Sequence, residues 1–353
     1  MADGPFSLEA QQAALFASRG IAGAPHLMGP GVGEVHIDRA LSNLAVRYRP
    51  NAGKMIADRV VPVVGVQARS GKYHIFAEGT HSELNNANIA SQQGQVARIH
   101  WSVSNDSYAV EDFGLLDFVP TDVEAQADAP ISPLMDSTEI LVDRLTLHRE
   151  YRAAAVVFGS SNYGGQTSGL TGGNRWNNPT SDPVRVIDTA MSNVNLKTTP
   201  NVAVMGKAVW DALKRHPAIL AHILSRSATR SGATPLTVTR ELFAEAFELD
   251  DVIVGEARYN SAAPGATAAQ TRIWGNHFAL LTTPATPRLG QVQAFAYTLR
   301  YTRAGSTAIE VRRWNDPGMI GVAGGTYVKA TFSETIKPIG GGNVGYLLTD
   351  VVD

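Results

Sequence analysis

Side chains in the first third of the chain alternate with a period of two over residues 72–78 and again over residues 97–103, which is the period of a β-strand. The pattern predicts two strands that pair as a hairpin. The 18 residues between them, 79–96, are polar and rich in Asn, Gln and Ser. A lone two-stranded hairpin is only marginally stable, so we expect this one to lie on an external surface.

A helical pattern covers residues 131–158. Ser132 is suited to cap this helix, and Pro133 is suited to its first position. One face carries Leu134, Leu141, Leu145 and Ala155, and a basic side carries Arg144, His148, Arg149 and Arg152. At about 1.5 Å per residue the helix would be roughly 40 Å long, which is long for one helix of a compact domain.

The rest of the chain mixes helices and strands, which predicts an α+β fold. A buried strand is expected near residues 60–66, and residues 159–180 are expected to be a flexible glycine-rich loop. Further helices are expected after residue 182, at 207–223 with an interruption at Pro217, and at 239–249. Further strands are expected at 201–206, 251–259, 272–282, 294–303 and 308–316. A hairpin turn at 304–306 is expected to join the last two strands. Residues 326–352 are expected to form a strand, a glycine turn and a strand. Residues 1–40 combine a short helix, 7–20, with a Gly/Pro-rich stretch that we expect to lie against a neighbouring subunit.

Composition and charge exclude several classes of protein. The 353 residues carry a net charge of −2 and no cysteine, which excludes a disulfide framework and a thiol nucleophile and gives no global affinity for nucleic acid. No signal sequence and no apolar run of membrane-spanning length is present, so we expect a soluble protein folded in a reducing cytoplasm. Charged residues make up 18%, below the roughly 25% of typical domains. This suggests a surface covered by other copies of the chain. The preference for Arg over Lys fits either interfaces or a GC-rich genome.

The segment GVQARSGKY raises the possibility of a phosphate-binding loop. That loop needs two glycines five positions apart, then Lys and Ser or Thr, then a helix. Gly65 and Gly71 are six apart, Tyr73 follows Lys72, and the next residues have strand periodicity. The phosphate-loop hypothesis therefore fails on three requirements.

No other stretch assembles a catalytic or metal site. His216 and His222 are six apart around a proline and do not share a helical face. His74 and His100 lie on the predicted paired strands, where a cross-strand polar pair is expected. The sequence contains no GxSxG nucleophile motif, and the glycine-rich stretch lacks dinucleotide-binding spacing. We expect no catalysis, no metal and no cofactor.

Three segments taken in order resemble the major capsid proteins of tailed bacteriophages with the Hong Kong 97-type fold. They are YRPNAGKMIADRVVPVVGVQARSGKY, PNVAVMGKAVWDALKRHPAIL and VRRWNDPGMIGVAGGTYV. The resemblance spans almost the whole chain. It implies an N-terminal arm at 1–50, a strand and extended E-loop hairpin at 51–113, a peripheral domain with a spine helix and glycine-rich connector at 114–181, an axial domain at 182–320, and C-terminal strands that return to the peripheral domain at 321–353.

The resemblance also implies a function. Such a chain self-assembles into pentamers and hexamers of an icosahedral shell that encloses double-stranded DNA, within a virion assembled in the host bacterial cytoplasm. The expected partners are other copies, a separate scaffold protein, a portal, a decoration protein as an optional addition, and DNA without sequence-specific contacts; no membrane is involved. Candidate inter-subunit contacts are Lys72, Tyr73, His74, Glu83, Arg98, Trp101, Arg144, Arg149, Arg152, Arg312 and Arg313.

Two alternatives stay open. An encapsulin-like nanocompartment shell would use the same fold to enclose an enzyme, although the Gly/Pro-rich N-terminal segment favours a virion. A glycine-rich nucleotide-dependent enzyme is the alternative from another class. Some capsid proteins of this family join subunits through a lysine in the E-loop, but residues 79–96 contain no lysine, so we expect no such cross-link.

Overall fold

The computed structural model describes residues 36–37, 54–76, 103–127, 132–226, 238–263, 265–284, 286–287, 294–301, 309–317, 324–339 and 342–353. The predicted helix at 7–20 and the hairpin tip at 79–96 lie outside these ranges. So do three of the candidate contacts, Glu83, Arg98 and Trp101.

Within the described ranges the α-helices are α1 (Ala57–Val60), α2 (Thr121–Ala125), α3 (Pro133–Val157), α4 (Pro183–Met191), α5 (Lys207–Leu213), α6 (Pro217–Arg226) and α7 (Arg240–Ala246). The strands are β1 (His36–Ile37), β2 (Val63–Val66), β3 (Ser70–Phe76), β4 (Val103–Ala109), β5 (Glu111–Pro120), β6 (Thr167–Gly169), β7 (Val202–Gly206), β8 (Asp251–Gly255), β9 (Arg258–Asn260), β10 (Gln270–Arg272), β11 (Phe278–Leu281), β12 (Ala296–Tyr301), β13 (Glu310–Asp316), β14 (Gly325–Pro338) and β15 (Gly345–Thr349).

One sheet has the strand order β6-β15-β11-β7-β8, with β7 parallel to β8 and antiparallel to β11. Strands β7, β8 and β11 are almost entirely buried apolar runs, because both of their faces are covered. Ala203 and Met205 point into a core shared with α4 to α7, whereas Val202 and Val204 point into a core shared with α1 and the end of α3. The strand predicted at 201–206 is thus confirmed as a doubly buried strand.

The other large sheet is organised around β14. β13 pairs with its first half, Gly325 to Thr331, β12 pairs with its end, Glu334 to Pro338, and β5 pairs with it over Gly325 to Glu334. β1 pairs with β13, and β2 runs parallel to β12. Apolar residues of α3, among them Leu141 and Leu145, pack on β14 and β13 through Val328, Phe332 and Val311.

The long helix is confirmed as α3, with 25 residues and Pro133 at its start. Two details of its prediction are wrong. The Ser132 side chain makes no capping hydrogen bond, and Ala155 is exposed. Arg149 and Glu150 are buried instead, because both side chains have partners of opposite polarity inside the subunit.

Several strand predictions need correction. β12 and β13, predicted as a hairpin, both pair with β14. The strand predicted at 272–282 is divided into β10 and β11, and the buried strand near 60–66 is divided into α1 and β2. β15 pairs with β11. The break at Pro217 is confirmed, since α6 begins there.

The glycine-rich connector is more ordered than predicted. It contains β6 and two short 3-10 helices, Ser160–Tyr163 and Gly172–Asn174. Tyr163 and Trp176 are almost completely buried. These two aromatic side chains fix the connector against the five-stranded sheet because their burial outweighs the flexibility of the glycines around them.

Trp274 closes the carboxyl ends of β7 and β8. Gly206 and Gly255 are register partners at these ends, and both lie directly against the chain at Trp274. A Cβ at Gly206 would lie 2.1 Å from the carbonyl oxygen of Gly275, and a Cβ at Gly255 would lie 2.1 Å from Cγ of Trp274. The chain at Trp274 therefore packs directly against the carboxyl ends of β7 and β8.

Gly255→Ala should destabilise the subunit by about 1–3 kcal/mol or more, because the added methyl group overlaps the buried Trp274 ring. Gly65→Ala is the matched control, since a Cβ there meets nothing within 4 Å and should change stability by less than about 1 kcal/mol. Urea unfolding of the purified subunits measures both. Equal stability of the two variants would contradict the close packing.

Candidate assembly surface

The base of the β3–β4 hairpin is tied to the end of β14. The Tyr73 hydroxyl donates to Oδ2 of Asp106 at 2.6 Å, and Nζ of Lys337 lies 3.2 Å from the same carboxylate. The hydrogen bond from Tyr73 is the main cause that holds the pKa of Asp106 below its ordinary value. Burial, followed by the hydrogen bond to Asp106, raises the pKa of Tyr73. The hairpin thus leaves the body of the subunit from a fixed base.

The register of this hairpin differs from the predicted one. In the described part of the hairpin β3 pairs with Val103–Ala109, and in this register His74 lies opposite Asn105 and not opposite His100. His74 and Asn105 share a side-chain hydrogen bond, so the expected cross-strand polar pair exists with a different partner. Lys72 lies opposite Ser107 and is exposed. Its place inside a strand confirms that no phosphate-binding helix follows Gly71.

Three arginines surround one buried carboxylate between α3 and the β14 sheet. Glu334 is 0% exposed. Its Oε1 lies 2.6 Å from Nη2 of Arg152 and 3.2 Å from Nε of Arg149, and its Oε2 accepts from Nη2 of Arg300 at 2.8 Å. Arg149 also pairs with Asp58 of α1. Arg149 and Arg152, selected as inter-subunit candidates, are therefore both occupied within the subunit.

The outward side of α3 has a different character. Arg144 is exposed there, and it lies between Ile140 and Tyr151, whose exposed fractions are 51% and 50%. Two large apolar side chains flanking a cation form a surface suited to contact with another protein. Of the three α3 arginines among the candidates, Arg144 is thus the one directed away from its own subunit.

The face of the β14 sheet opposite α3 carries an aromatic row. Phe118, Tyr327 and Trp314 are direct register partners on β5, β14 and β13. Trp314 stacks on Tyr327 at a centroid distance of 5.2 Å, and Phe118 lies 4.8 Å from Tyr327 on the other side. All three rings are half-buried. Leu116 occupies the next position on this face of β5 and is 53% exposed.

Of the two candidate arginines of β13, Arg312 lies on the face of this row, whereas Arg313 lies opposite Val328 on the α3 face. Arg312 makes two hydrogen bonds to the carboxylate of Glu310, the shorter at 2.6 Å. Arg313 is exposed and lies opposite His36 in the pairing of β13 with β1. The aromatic row together with Leu116 and Arg312 forms a mixed apolar and cationic face, the composition typical of protein contact surfaces.

The sequence reasoning missed Asp106, Glu334 and the aromatic row. Each is defined by pairing between distant segments, as in the contact of Arg152 with Glu334 across 182 positions of the chain. Alternation within 325–338 could have indicated that Tyr327 and Glu334 point to opposite faces. It could not have identified the neighbours of either residue.

The described residues contain no group of three or more His, Asp or Glu side chains able to hold a metal ion. In the same part of the chain, no helix has both the length and the apolar character needed to cross a membrane.

The fold is that of phage capsid proteins. A crystal structure of a phage-related protein from Bordetella bronchiseptica superposes with a TM-score of 0.63 at 20% identity, covering 90% of this chain and 98% of that one. The capsid structure of cyanophage P-SCSP1u superposes with a TM-score of 0.54 at 10% identity, covering 93% and 95%.

Sequence relationships lead to the same family. The family model described as phage major capsid protein E matches residues 134–297. The major capsid protein of Pseudomonas phage JBD67 is 30% identical over 314 residues, covering 86% of this chain and 93% of that protein. The major capsid protein of Burkholderia phage BcepMu is 25% identical over 332 residues, covering 89% and 96%. The chain therefore belongs to the phage major capsid protein family, whose members build the virion capsid from many copies of themselves.

Glu334→Ala should reduce the free energy of unfolding by about 3–5 kcal/mol, because it leaves three arginines, whose side chains are only 11%, 20% and 15% exposed, without their shared carboxylate. The control is Asp251→Ala, which removes the partner of Arg59 in a pair whose side chains are 56% and 44% exposed and should cost about 0–1 kcal/mol. Urea unfolding of both variants tests the difference. A loss at Glu334 no larger than that at Asp251 would refute the structural role of the arginine cluster.

Asp106→Ala should destabilise the hairpin base by about 0.5–1.5 kcal/mol at neutral pH. Because the folded-state pKa of Asp106 is lowered, its stabilising effect is complete above the ordinary carboxyl pKa of about 3.9 and is lost as pH falls through the folded value. The difference between wild type and variant should be constant from about pH 5 to 8 and shrink below about pH 4. A difference that persists undiminished at about pH 2 would contradict the assignment.

Proposed function

We propose that this chain forms the pentamers and hexamers of an icosahedral shell that encloses double-stranded DNA in the head of a tailed phage. The observation that carries the proposal is the 30% identity to a phage major capsid protein over 86% of the chain. The exposed apolar positions on α3 and β5 support it, since such positions on a subunit are suited to contacts between copies. Rings of identical subunits pass each contact on to the next copy until the shell closes.

We assign the parts of the fold as follows. Residues 1–50 act as the arm, the β3–β4 hairpin as the base of the E-loop, and α3 as the spine helix. The β14 sheet with α3 forms the peripheral domain, and the five-stranded sheet with α4 to α7 forms the axial domain. This division assigns β12 and β13 to the peripheral domain, because both pair with β14. It assigns β15 to the axial domain, because β15 pairs with β11.

Candidate contacts divide by their surroundings. Lys72, His74, Arg144 and Arg313 are exposed and are proposed to reach neighbouring subunits. Tyr73, Arg149, Arg152 and Arg312 are buried or half-buried and contact partners in their own subunit, so we propose that they hold the contact surfaces in shape. Glu83, Arg98 and Trp101 are proposed contacts of the E-loop.

The same proposal covers partners and location. Assembly takes place in the host bacterial cytoplasm with a separate scaffold protein and a portal, and with a decoration protein as an optional addition. DNA is enclosed without sequence-specific contacts, consistent with the net charge of −2. A structural and not an enzymatic role is supported by the match to phage major capsid proteins.

Electron microscopy of the particles purified after expression with the phage head genes should show closed icosahedral shells. Nucleic acid extracted from the particles should be double-stranded DNA; particles that hold protein and no DNA would favour the encapsulin-like alternative. After boiling in denaturant the shell protein should run as a single monomer band, because residues 79–96 contain no lysine. A ladder of multiples would contradict this expectation, and a monodisperse small oligomer would overturn the proposed function.

A further inference from the structure

β5 presents a long edge of the β14 sheet. Among the described residues, β5 pairs with β14 alone, over ten positions. Glu111 lies opposite Glu334 at one end of this ladder, and Pro120 lies opposite Gly325 at the other. Most of its residues are exposed. An exposed edge of this length offers a row of backbone N–H and C=O groups that can pair with another strand.

The side chains of β5 favour an apolar partner on both faces. On the face opposite α3, Leu116 is 53% exposed and lies in the row after Phe118. On the α3 face, Leu115 is 36% exposed. Native edge strands are usually protected by inward-pointing charges, by bulges or by being short. β5 has one such charge, Asp117, whose carboxylate accepts a hydrogen bond from Ser137 of α3. The strand nevertheless has a continuous ten-residue ladder and two adjacent exposed leucines at its centre.

Charge restricts how a second β5 can pair. A parallel, in-register pair would set Glu111, Asp112 and Asp117 against themselves, and like charges directly opposite are destabilising. An antiparallel pair centred on Asp117 would do the same for that residue. An antiparallel pair centred on Leu116 keeps all carboxylates apart, because Asp112 then lies opposite Pro120 and Asp117 opposite Leu115.

The same register gives favourable neighbours. Leu116 lies opposite Leu116 of the second copy, and Phe118 lies opposite Gly114. A ring beside a strand glycine covers backbone that has no side chain of its own. In addition, Phe118 continues the aromatic row of Tyr327 and Trp314 up to the junction between the two subunits.

We propose that β5 pairs antiparallel with β5 of a second copy around a twofold axis at Leu116, which joins two β14 sheets into one continuous sheet across the subunit boundary. The contact is isologous, so each pairing away from the axis occurs twice, once from each copy. The inference rests on the proposed shell function, because the partner is another copy of the chain held beside it in the particle.

The chain contains no cysteine, so a single introduced cysteine can form a disulfide only with the same cysteine of another copy. In assembled particles of Leu116→Cys, mild oxidation should convert most of the protein to a reducible dimer, because opposed strand residues bring their Cβ atoms to about 4.5–5.5 Å. Val194→Cys is the control, since Val194 is 94% exposed outside the helices and strands and should stay monomeric. Monomeric Leu116→Cys in closed particles would overturn the pairing while leaving the shell function intact.

Hydrogen exchange of the wild-type protein provides a measurement that needs no variant. Alternate amides within residues 111–119, those whose N–H groups point away from β14, should exchange at least about tenfold more slowly in particles than in unassembled subunits, since these groups gain partners. Unchanged exchange in closed particles would refute the proposal. Absence of any shell would count against the proposed function itself, so the two failures are distinguishable.

Discussion

Two adjacent residues of α3 hold the two large sheets together. Glu150 is 1% exposed, and its carboxylate accepts the backbone N–H groups of Ile56 and Ala57, each at 2.9 Å, and the indole N–H of Trp274 at 2.6 Å. Arg149, the preceding residue, reaches Glu334 of the β14 sheet. Burial raises the pKa of Glu150, and the three N–H donors oppose that effect. A buried carboxylate is tolerated because its hydrogen-bonding capacity is satisfied. The start of α1, the loop at Trp274 and the β14 sheet all take their positions from one turn of one helix.

Features encoded by neighbouring residues were predictable, whereas features encoded by distant pairing were not. The length of α3 followed from helical periodicity and Pro133, the doubly buried strand β7 from its apolar run, and the break before α6 from Pro217. The failure of the phosphate-loop motif also followed from local spacing. By contrast, the pairing of β12 and β13 with β14, the register of β3 with β4, and the pairing of β15 with β11 depend on contacts between segments far apart in sequence. Local patterns favour hairpins between consecutive strands, which is why the hairpin predicted across 304–306 was wrong.

The candidate contacts show the same limit. Arginine was a reasonable indicator of interfaces, yet a guanidinium serves equally well inside a subunit when a buried carboxylate is available. The directions of Arg144 and Arg152 are set by their angular positions around α3 relative to β14. Composition carries no information about these positions. The aromatic row was hidden because Phe118, Trp314 and Tyr327 come from three separate segments.

β14 connects features that would otherwise be independent. Lys337, near its end, anchors the hairpin base, and Tyr327, near its start, belongs to the aromatic row; ten residues of extended strand separate them, about 33 Å. A force applied to the hairpin along this strand would act parallel to β14. The hydrogen bonds from β14 to β5, β12 and β13 would then resist it together, because none could break before the others. In a shell under internal pressure, β14 would therefore distribute a force applied at one point over the whole sheet.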